Sequence, residues 1–159
     1  MPKIDRHTTA RDFAEIEPYV SDAQRSAIKD ASVRSLFGEA GFYGMTIGAM
    51  LDAMHGNYKG IRQDDGNTCF DIMRIEAFAD WVDEFLDVVQ RLTPKPSPKQ
   101  MKNAAGTMKM TFDESVYVFC RAYFGLPNFD AVNGLTVGDY VLAKKDDFNQ
   151  RTIDNNMMQ

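Results

Sequence analysis

The clearest pattern in the sequence is a run of apolar residues at helical spacing between residues 69 and 92. Apolar positions recur there every three or four residues, at Phe70, Met73, Ala77, Trp81, Phe85, Val88 and Leu92. This period places them on one face of an α-helix, and most of the acidic residues of the run fall on the other faces. A helix of this length is not stable alone in water. The pattern therefore predicts a long amphipathic helix whose apolar face is covered.

Shorter runs with the same spacing predict further helices, and capping residues mark where they begin. Ser21 is followed three positions later by Gln24, and Thr111 by Glu114, the arrangement in which each side chain binds a free backbone N–H of the other residue. No segment alternates convincingly between apolar and polar residues, as a strand would. The predicted fold class is therefore all-α, a compact bundle of about five to six helices.

A proline- and lysine-rich stretch near the middle of the chain interrupts the helical pattern. Residues 93–99 read TPKPSPK, and prolines at alternate positions disfavour a helix and favour extended polyproline geometry. We therefore expect residues 93–110 to link two helical halves of a single domain that spans residues 1–159. Residues 1–20 contain two prolines and only a short amphipathic piece, and are expected to form a loosely attached arm.

One five-residue pattern occurs twice, ninety positions apart, as GMTIG at 44–48 and GLTVG at 134–138. Each copy places an apolar residue before a threonine that is suited to cap a helix, and each precedes an apolar-rich helix. Two explanations stay open at this point. The pattern marks a duplicated half-domain or paired surfaces for one partner, or it is two independent uses of a good helix start.

Composition and charge exclude several classes of protein. The hydrophobic fraction of 44% is enough for a core, and a net charge of −5 argues against a protein that coats nucleic acid. Cys69 and Cys120 lie in apolar helical stretches, which favours buried thiols in a reducing compartment. No apolar run approaches the roughly 18–20 residues that a membrane span needs. We expect a soluble cytoplasmic protein with no membrane partner.

The sequence contains no recognisable set of catalytic residues and no metal-ligand motif. His7 and His55 are the only histidines, and no CxxC or HExxH spacing occurs. The acidic stretch 64–67 lacks the alternating ligands of a calcium loop, so we interpret it as a surface turn. Cys120 has no positioned base beside it in the sequence, and we interpret it as a packing residue. We therefore predict a non-enzymatic protein without cofactor or metal.

The interval 91–109 is locally basic in a net-acidic chain. It contains five cations and no acid: Arg91, Lys95, Lys99, Lys102 and Lys109. Such a segment suits nucleic acid or an acidic protein surface, or is simply a solvated linker. The lack of aromatic residues among the cations disfavours nucleic-acid readout. We predict six partner-binding residues. Lys95, Lys99 and Lys102 lie in this interval, Trp81 and Phe85 lie on the long helix, and Tyr140 lies on the last helix.

The segment from residue 111 to residue 149 carries a resemblance to a known family. Its helix ends in the turn Tyr123-Phe124-Gly125-Leu126-Pro127, and a threonine-initiated helix follows at Leu135-Thr136-Val137-Gly138-Asp139-Tyr140. In this it resembles the C-terminal part of small helical tail-assembly proteins of tailed bacteriophages, over about a quarter of the chain. Gly138 departs from the helix former that such proteins have there. The resemblance implies a non-enzymatic assembly or virion-associated role, and no site residue is carried over from it.

Two functional hypotheses follow from the sequence. The first is a helical protein-interaction or assembly protein, a bacteriophage component on the resemblance, which binds copies of itself or another assembly component in the host cytoplasm or the virion. The alternative is a small regulator or inhibitor that binds nucleic acid, or a nucleic-acid-binding enzyme, through residues 91–109.

Overall fold

The computed structural model describes residues 3–62 and 67–158, and within them the fold is all-α, as the sequence predicts. Its seven α-helices are α1 (Ala10–Ile16), α2 (Asp22–Phe37), α3 (Ile47–Met54), α4 (Cys69–Arg91), α5 (Pro98–Asn103), α6 (Phe112–Phe124) and α7 (Val137–Met157). Short 3₁₀ segments lie at Glu17–Tyr19, Gly38–Gly44, Lys59–Ile61 and Asp130–Gly134. The helix count exceeds the prediction because the N-terminal arm and the linker each form a short helix.

The predicted helix starts and stops are confirmed. The Ser21/Gln24 and Thr111/Glu114 capping boxes both form, with the backbone N–H of each cap bound by the side chain three positions later. Gly125 ends α6 in the left-handed conformation, at a φ of 64°. The long helix spans Cys69–Arg91, one residue short of the apolar run that predicts it.

One apolar core contains residues from both sides of the linker, so the two helical halves are not separate bodies. Its fully buried members come from α3, α4, α6 and α7 and from the 3₁₀ segments, and include Ile47, Met50, Phe85, Val116, Cys120, Val132 and Val137. The predicted stripe of α4 packs into this core, with Phe85 1% exposed. Burial of such side chains stabilises the fold by about 1.5–3 kcal/mol each.

The linker differs from its prediction in one respect. Pro98 does not exclude a helix but begins α5, where Ser97 and Gln100 form a third capping box. Proline is tolerated at the first helical position because the N–H that it lacks has no partner there. Residues 94–97 have no regular structure, and every side chain of residues 93–110 is exposed.

The N-terminal arm is attached to α4, which corrects the expectation of a loose arm. Phe13 is only 3% exposed and packs with Cys69 and Met73 in a small second cluster. An isolated antiparallel bridge joins Thr9 to Thr68: the N–H of Cys69 donates to the Thr8 carbonyl at 2.7 Å, and that of Ala10 to the Asn67 carbonyl at 3.1 Å. One buried aromatic ring and two backbone hydrogen bonds hold the arm.

A second bridge of the same kind joins the two copies of the repeated pattern to each other. Thr46 pairs with Thr136: the N–H of Ile47 donates to the Leu135 carbonyl at 2.8 Å, and the N–H of Val137 to the Met45 carbonyl at 2.9 Å. Both threonines also cap their helices, α3 and α7. The pattern therefore makes one antiparallel contact between the starts of two helices, whether or not its two copies share descent.

The glycine two positions after each of these threonines allows the two helix starts to approach closely. A Cβ on Gly48 would lie 3.1 Å from the Cβ of Asn133, and one on Gly138 would lie 3.2 Å from the carbonyl oxygen of Tyr43. Each glycine thus faces the 3₁₀ segment that precedes the other helix. A side chain at either position would force the two segments apart.

A buried ion pair ties α2 and the 3₁₀ segment Lys59–Ile61 to α4. Arg74 and Asp71 are both fully buried, with Nη1 of Arg74 2.8 Å from Oδ1 of Asp71. The guanidinium also donates to the carbonyls of Ser32, at 2.7 Å, and Ile61, at 3.2 Å. Burial lowers the pKa of Arg74, and the Asp71 carboxylate acts in the opposite direction. Removal of one member of such a pair costs about 3–5 kcal/mol.

The close approach at Gly138 gives a prediction about stability. In an ordinary helix Gly→Ala stabilises by up to about 1 kcal/mol. At residue 138 the added methyl group meets a backbone carbonyl, so we expect Gly138→Ala to lower the free energy of unfolding by about 1–2 kcal/mol. Urea unfolding followed by circular dichroism measures the change.

Gly134→Ala is the matched control, because nothing lies within 4 Å of a Cβ built there. Its free energy of unfolding is expected to stay within about 0.5 kcal/mol of the wild type. Equal losses at both positions would contradict the role given to the close approach.

Candidate protein-interaction surfaces

The structure divides the predicted partner-binding residues between core and surface. Phe85 and Tyr140 lie in the core, 1% and 3% exposed, with their ring centroids 6.1 Å apart. Burial also raises the pKa of the Tyr140 hydroxyl. The prediction that these two residues contact a partner is therefore replaced by a role in the core. Lys95, Lys99 and Lys102 are exposed, and Trp81 is half-buried beside a cleft.

The cleft beside Trp81 has a partly aromatic wall. It lies between α2, the 3₁₀ segment Gly38–Gly44 and α4, and has a volume of about 680 Å³. Tyr43 and Trp81 line it with their rings nearly perpendicular, at 83° and with centroids 6.0 Å apart. Stacking on Phe85 and contact with Phe42 hold the indole in place. The cleft therefore presents rigid aromatic surface to solvent.

Carboxylates without a cation partner surround these rings. Asp80 and Glu84 lie on α4 and Asp30 on α2, all three exposed and lining the cleft. None of them belongs to an ion pair among the residues that the structure describes.

The cations of the same cleft are occupied by other acids. Arg25 binds Glu17 and Glu76, and Lys29 lies 3.5 Å from Glu76. The third cation, Arg34, makes only a long contact of 3.9 Å with Glu39. The cleft is therefore electronegative as well as aromatic.

The basic segment 91–109 has the opposite character. Its five cations are exposed, and none takes part in an ion pair within residues 3–62 and 67–158. Pro94 and Lys95 border a second cleft, with Phe148 and Arg151 of α7 on its other side. The segment thus runs beside the C-terminal half of α7.

Exposed apolar side chains are concentrated in the C-terminal part of the molecule, a feature that the sequence reading missed. Of the fourteen large hydrophobic residues found exposed in the described part of the chain, eleven lie between residues 101 and 158. Met110, Tyr117, Val118 and Phe129 share a groove of about 390 Å³. The sequence signal for these exposed side chains was Met101, Met108 and Met110, because they are three apolar residues in a segment that is otherwise polar.

The end of α7 carries further exposed apolar side chains. Every side chain from residue 149 to residue 158 is exposed, and Ile153, Met157 and Met158 are among them. The helix continues to Met157. The last turns of α7 therefore present apolar side chains outside the core.

The buried cysteines are poor nucleophiles. Cys69 and Cys120 are free thiols without solvent exposure, and burial raises the pKa of each to about 11. Arg25 acts weakly in the opposite direction on Cys69, and Lys144 does so on Cys120. A thiolate is the reactive form of cysteine, so neither position is suited to nucleophilic chemistry near neutral pH.

The described residues contain no group of three His, Cys, Asp or Glu side chains that could hold a metal ion. The His55 ring contacts the Asp113 carboxylate at 2.8 Å, on the surface between the end of α3 and the start of α6. Asp64, Asp65 and Gly66 of the predicted acidic turn lie outside the described residues.

Comparisons with known proteins give no family. No protein-family model matches the chain, and neither the curated protein sequences nor the solved structures gave a match. None of the described helices is both long enough and apolar enough to cross a membrane. Its function must therefore be inferred from the surfaces of this chain alone.

The burial of both thiols predicts slow chemical labelling. With each pKa near 11, only about one thiol in a thousand is ionised at pH 8. We expect a disulfide reagent such as DTNB to label the native chain at least about a hundredfold more slowly than the chain in guanidinium. Labelling of either cysteine at the denatured rate would contradict the burial of that thiol.

Proposed function

We propose that this chain is a non-enzymatic assembly protein whose copies bind one another through the C-terminal part of the molecule. The observation that carries the proposal is the uneven distribution of exposed apolar side chains, which favour residues 101–158. Exposed apolar surface gathered on one part of a protein is typical of an interface, because its burial releases ordered water.

Two details of this surface support a contact between copies. The groove at Val118 and Phe129 is bordered by charges of both signs: Glu114 and Asp130 line it, and the Arg121 guanidinium lies 4.8 Å from the Phe129 ring centroid. A two-fold contact brings the same patch of each copy together, so a patch with both signs of charge can pair with itself. Interfaces between identical subunits are also the more apolar ones.

The resemblance of residues 111–149 to phage tail-assembly proteins supplies one biological setting for the proposal. In that setting the chain is a virion-associated or host-cytoplasmic component, and its self-association is a step in building a larger structure.

Light scattering after size exclusion tests the proposal directly. We expect a mass that is a multiple of the 18.0 kDa monomer and does not fall at high salt, because apolar contacts are not screened by ions. The double variant Val118→Glu/Ile153→Glu places two charges on the exposed apolar side chains and is expected to be monomeric at about 100 μM in high salt, since a charge buried without a partner costs several kcal/mol.

Ile72→Glu is the control for these substitutions, because Ile72 is an exposed apolar residue on α4 and lies outside the contact surface. It should leave the oligomer unchanged. A wild-type chain that is monomeric at this concentration in both low and high salt would contradict the proposal.

A second candidate function, binding of nucleic acid through residues 91–109, is favoured by a different observation. The five cations of this segment are exposed, and the described residues pair none of them with an acid. Unpaired cations on an exposed segment suit phosphate groups, whose binding releases condensed counterions.

Fluorescence anisotropy with labelled single- and double-stranded oligonucleotides tests this candidate. If it holds, binding weakens steeply with salt, and Lys95→Glu/Lys99→Glu/Lys102→Glu lowers the affinity by at least about a hundredfold. Lys145→Glu, an exposed lysine on α7, is the control for a single change of charge. No binding at about 50 mM salt would exclude the candidate.

A further inference from the structure

We propose that the proline–lysine segment Thr93–Lys99 of one copy docks in the acidic aromatic cleft beside Trp81 of a second copy. This inference rests on the proposed function, because it names a second contact by which copies assemble. The partner is therefore another molecule of the same chain, and the two contacting surfaces differ from each other.

The chemistry of the two surfaces is complementary. The segment carries Lys95 between two prolines and Lys99 directly after a third, and Ser97 has polyproline backbone angles, with φ −68° and ψ 161°. Grooves that bind such segments are lined by aromatic rings, against which the prolines pack. Tyr43 and Trp81 provide rings of this kind, and unpaired carboxylates stand beside them.

The spacing of the charges also agrees. In polyproline geometry the step from Lys95 to Ser97 spans about 6 Å, and Lys99, in the first turn of α5, lies about 3 Å further along that helix. Asp80 and Glu84, one turn apart on α4, are only about 6 Å apart along the helix axis. Asp30 lies across the cleft on α2, and packed helices have axes about 8–10 Å apart. The distance between the two lysines therefore fits one carboxylate on each wall of the cleft, on α2 and on α4, better than two carboxylates on α4.

A contact within one copy does not fit the fold. Trp81 and Leu92 are separated by eleven residues of α4 and its cap, about 16 Å along the axis. Beyond Leu92 the segment runs beside the C-terminal half of α7, where Pro94 and Lys95 face Phe148 and Arg151. Segment and cleft therefore lie at different places on one molecule, and their pairing joins molecules head to tail, into a ring or an open chain.

The only tryptophan of the chain provides the readout for a test. The receptor is full-length protein with Lys95→Glu/Lys99→Glu, whose cleft is intact and whose own segment cannot compete. The probe is a synthetic peptide of residues 92–100, LTPKPSPKQ, which contains no aromatic residue. We expect a saturable change in Trp81 emission at about 20 mM salt that weakens at least about tenfold at 0.5 M.

Matched variants separate the proposed contact from general charge attraction. Adding Asp80→Lys/Glu84→Lys to the receptor should abolish the response, whereas Asp83→Lys/Asp87→Lys, the same charge change on α4 outside the cleft, should preserve it. A probe with its three prolines replaced by alanine should bind at least about tenfold more weakly. No response to the probe, equal loss with both receptor variants, or equal binding of the alanine probe would overturn the inference.

Mixing experiments distinguish this contact from the apolar one. In the Val118→Glu/Ile153→Glu background, chains with Asp80→Lys/Glu84→Lys and chains with Lys95→Glu/Lys99→Glu should each be monomeric, and their mixture should associate at low salt. Failure of the mixture to associate would overturn the docking of segment and cleft. It would leave the apolar self-association, measured separately at high salt, unaffected.

Discussion

The antiparallel pairing of two helix starts is the contact on which the arrangement of the other helices depends. Two backbone hydrogen bonds join residues 45–47 to residues 135–137 and place the first turns of α3 and α7 side by side. This contact closes a loop of about ninety residues, which is entropically costly, so it must be supported by packing. The support comes from Ile47 and Val137, both fully buried in the same core. Helices α4 and α6 pack their apolar faces into the same core, and residues 93–110 cross the surface between them.

The N-terminal side of the molecule depends on a different interaction, the buried pair of Arg74 and Asp71. A guanidinium in the interior is unfavourable unless its donors are satisfied. Here Nε and Nη1 reach a carboxylate on the same helix and carbonyls on α2 and the segment Lys59–Ile61, and Nη2 is buried without a hydrogen-bond partner among the described residues. Because Asp71 also caps the start of α4 at Thr68, the same carboxylate links the ion pair to the bridge that holds the N-terminal arm. One buried charge pair thereby joins four segments.

Much of the helical architecture was predictable from local signals. The capping pairs at Ser21 and Thr111, the stop at Gly125 and the apolar stripe of α4 each act within a few residues, and sequence spacing captures such effects. The predictions that failed concern contacts between residues that are far apart in the sequence. The stripe that identified Phe85 as a contact residue is satisfied by the molecule itself, and Tyr140 is covered by helices distant in sequence. The attachment of the arm depends on Phe13 meeting Cys69, more than fifty residues away, and no local pattern encodes that meeting.

The proposed interaction surfaces consist of charged and apolar side chains that the core does not bury. Helices α3, α4, α6 and α7 bury apolar side chains in one core, and Asp80 and Glu84 of α4 lie at the cleft that borders α2. The cations of the linker do not reach those two acids within the same molecule, because the linker leaves α4 beyond the cleft and lies along α7. The fold therefore separates opposite charges that the sequence places within twenty residues of each other. Charges separated in this way can be paired between molecules, whereas the apolar side chains after residue 101 can be removed from water only by another surface. The separated charges and the exposed apolar side chains have one cause: residues 93–110 cross the outside of a core that is already closed.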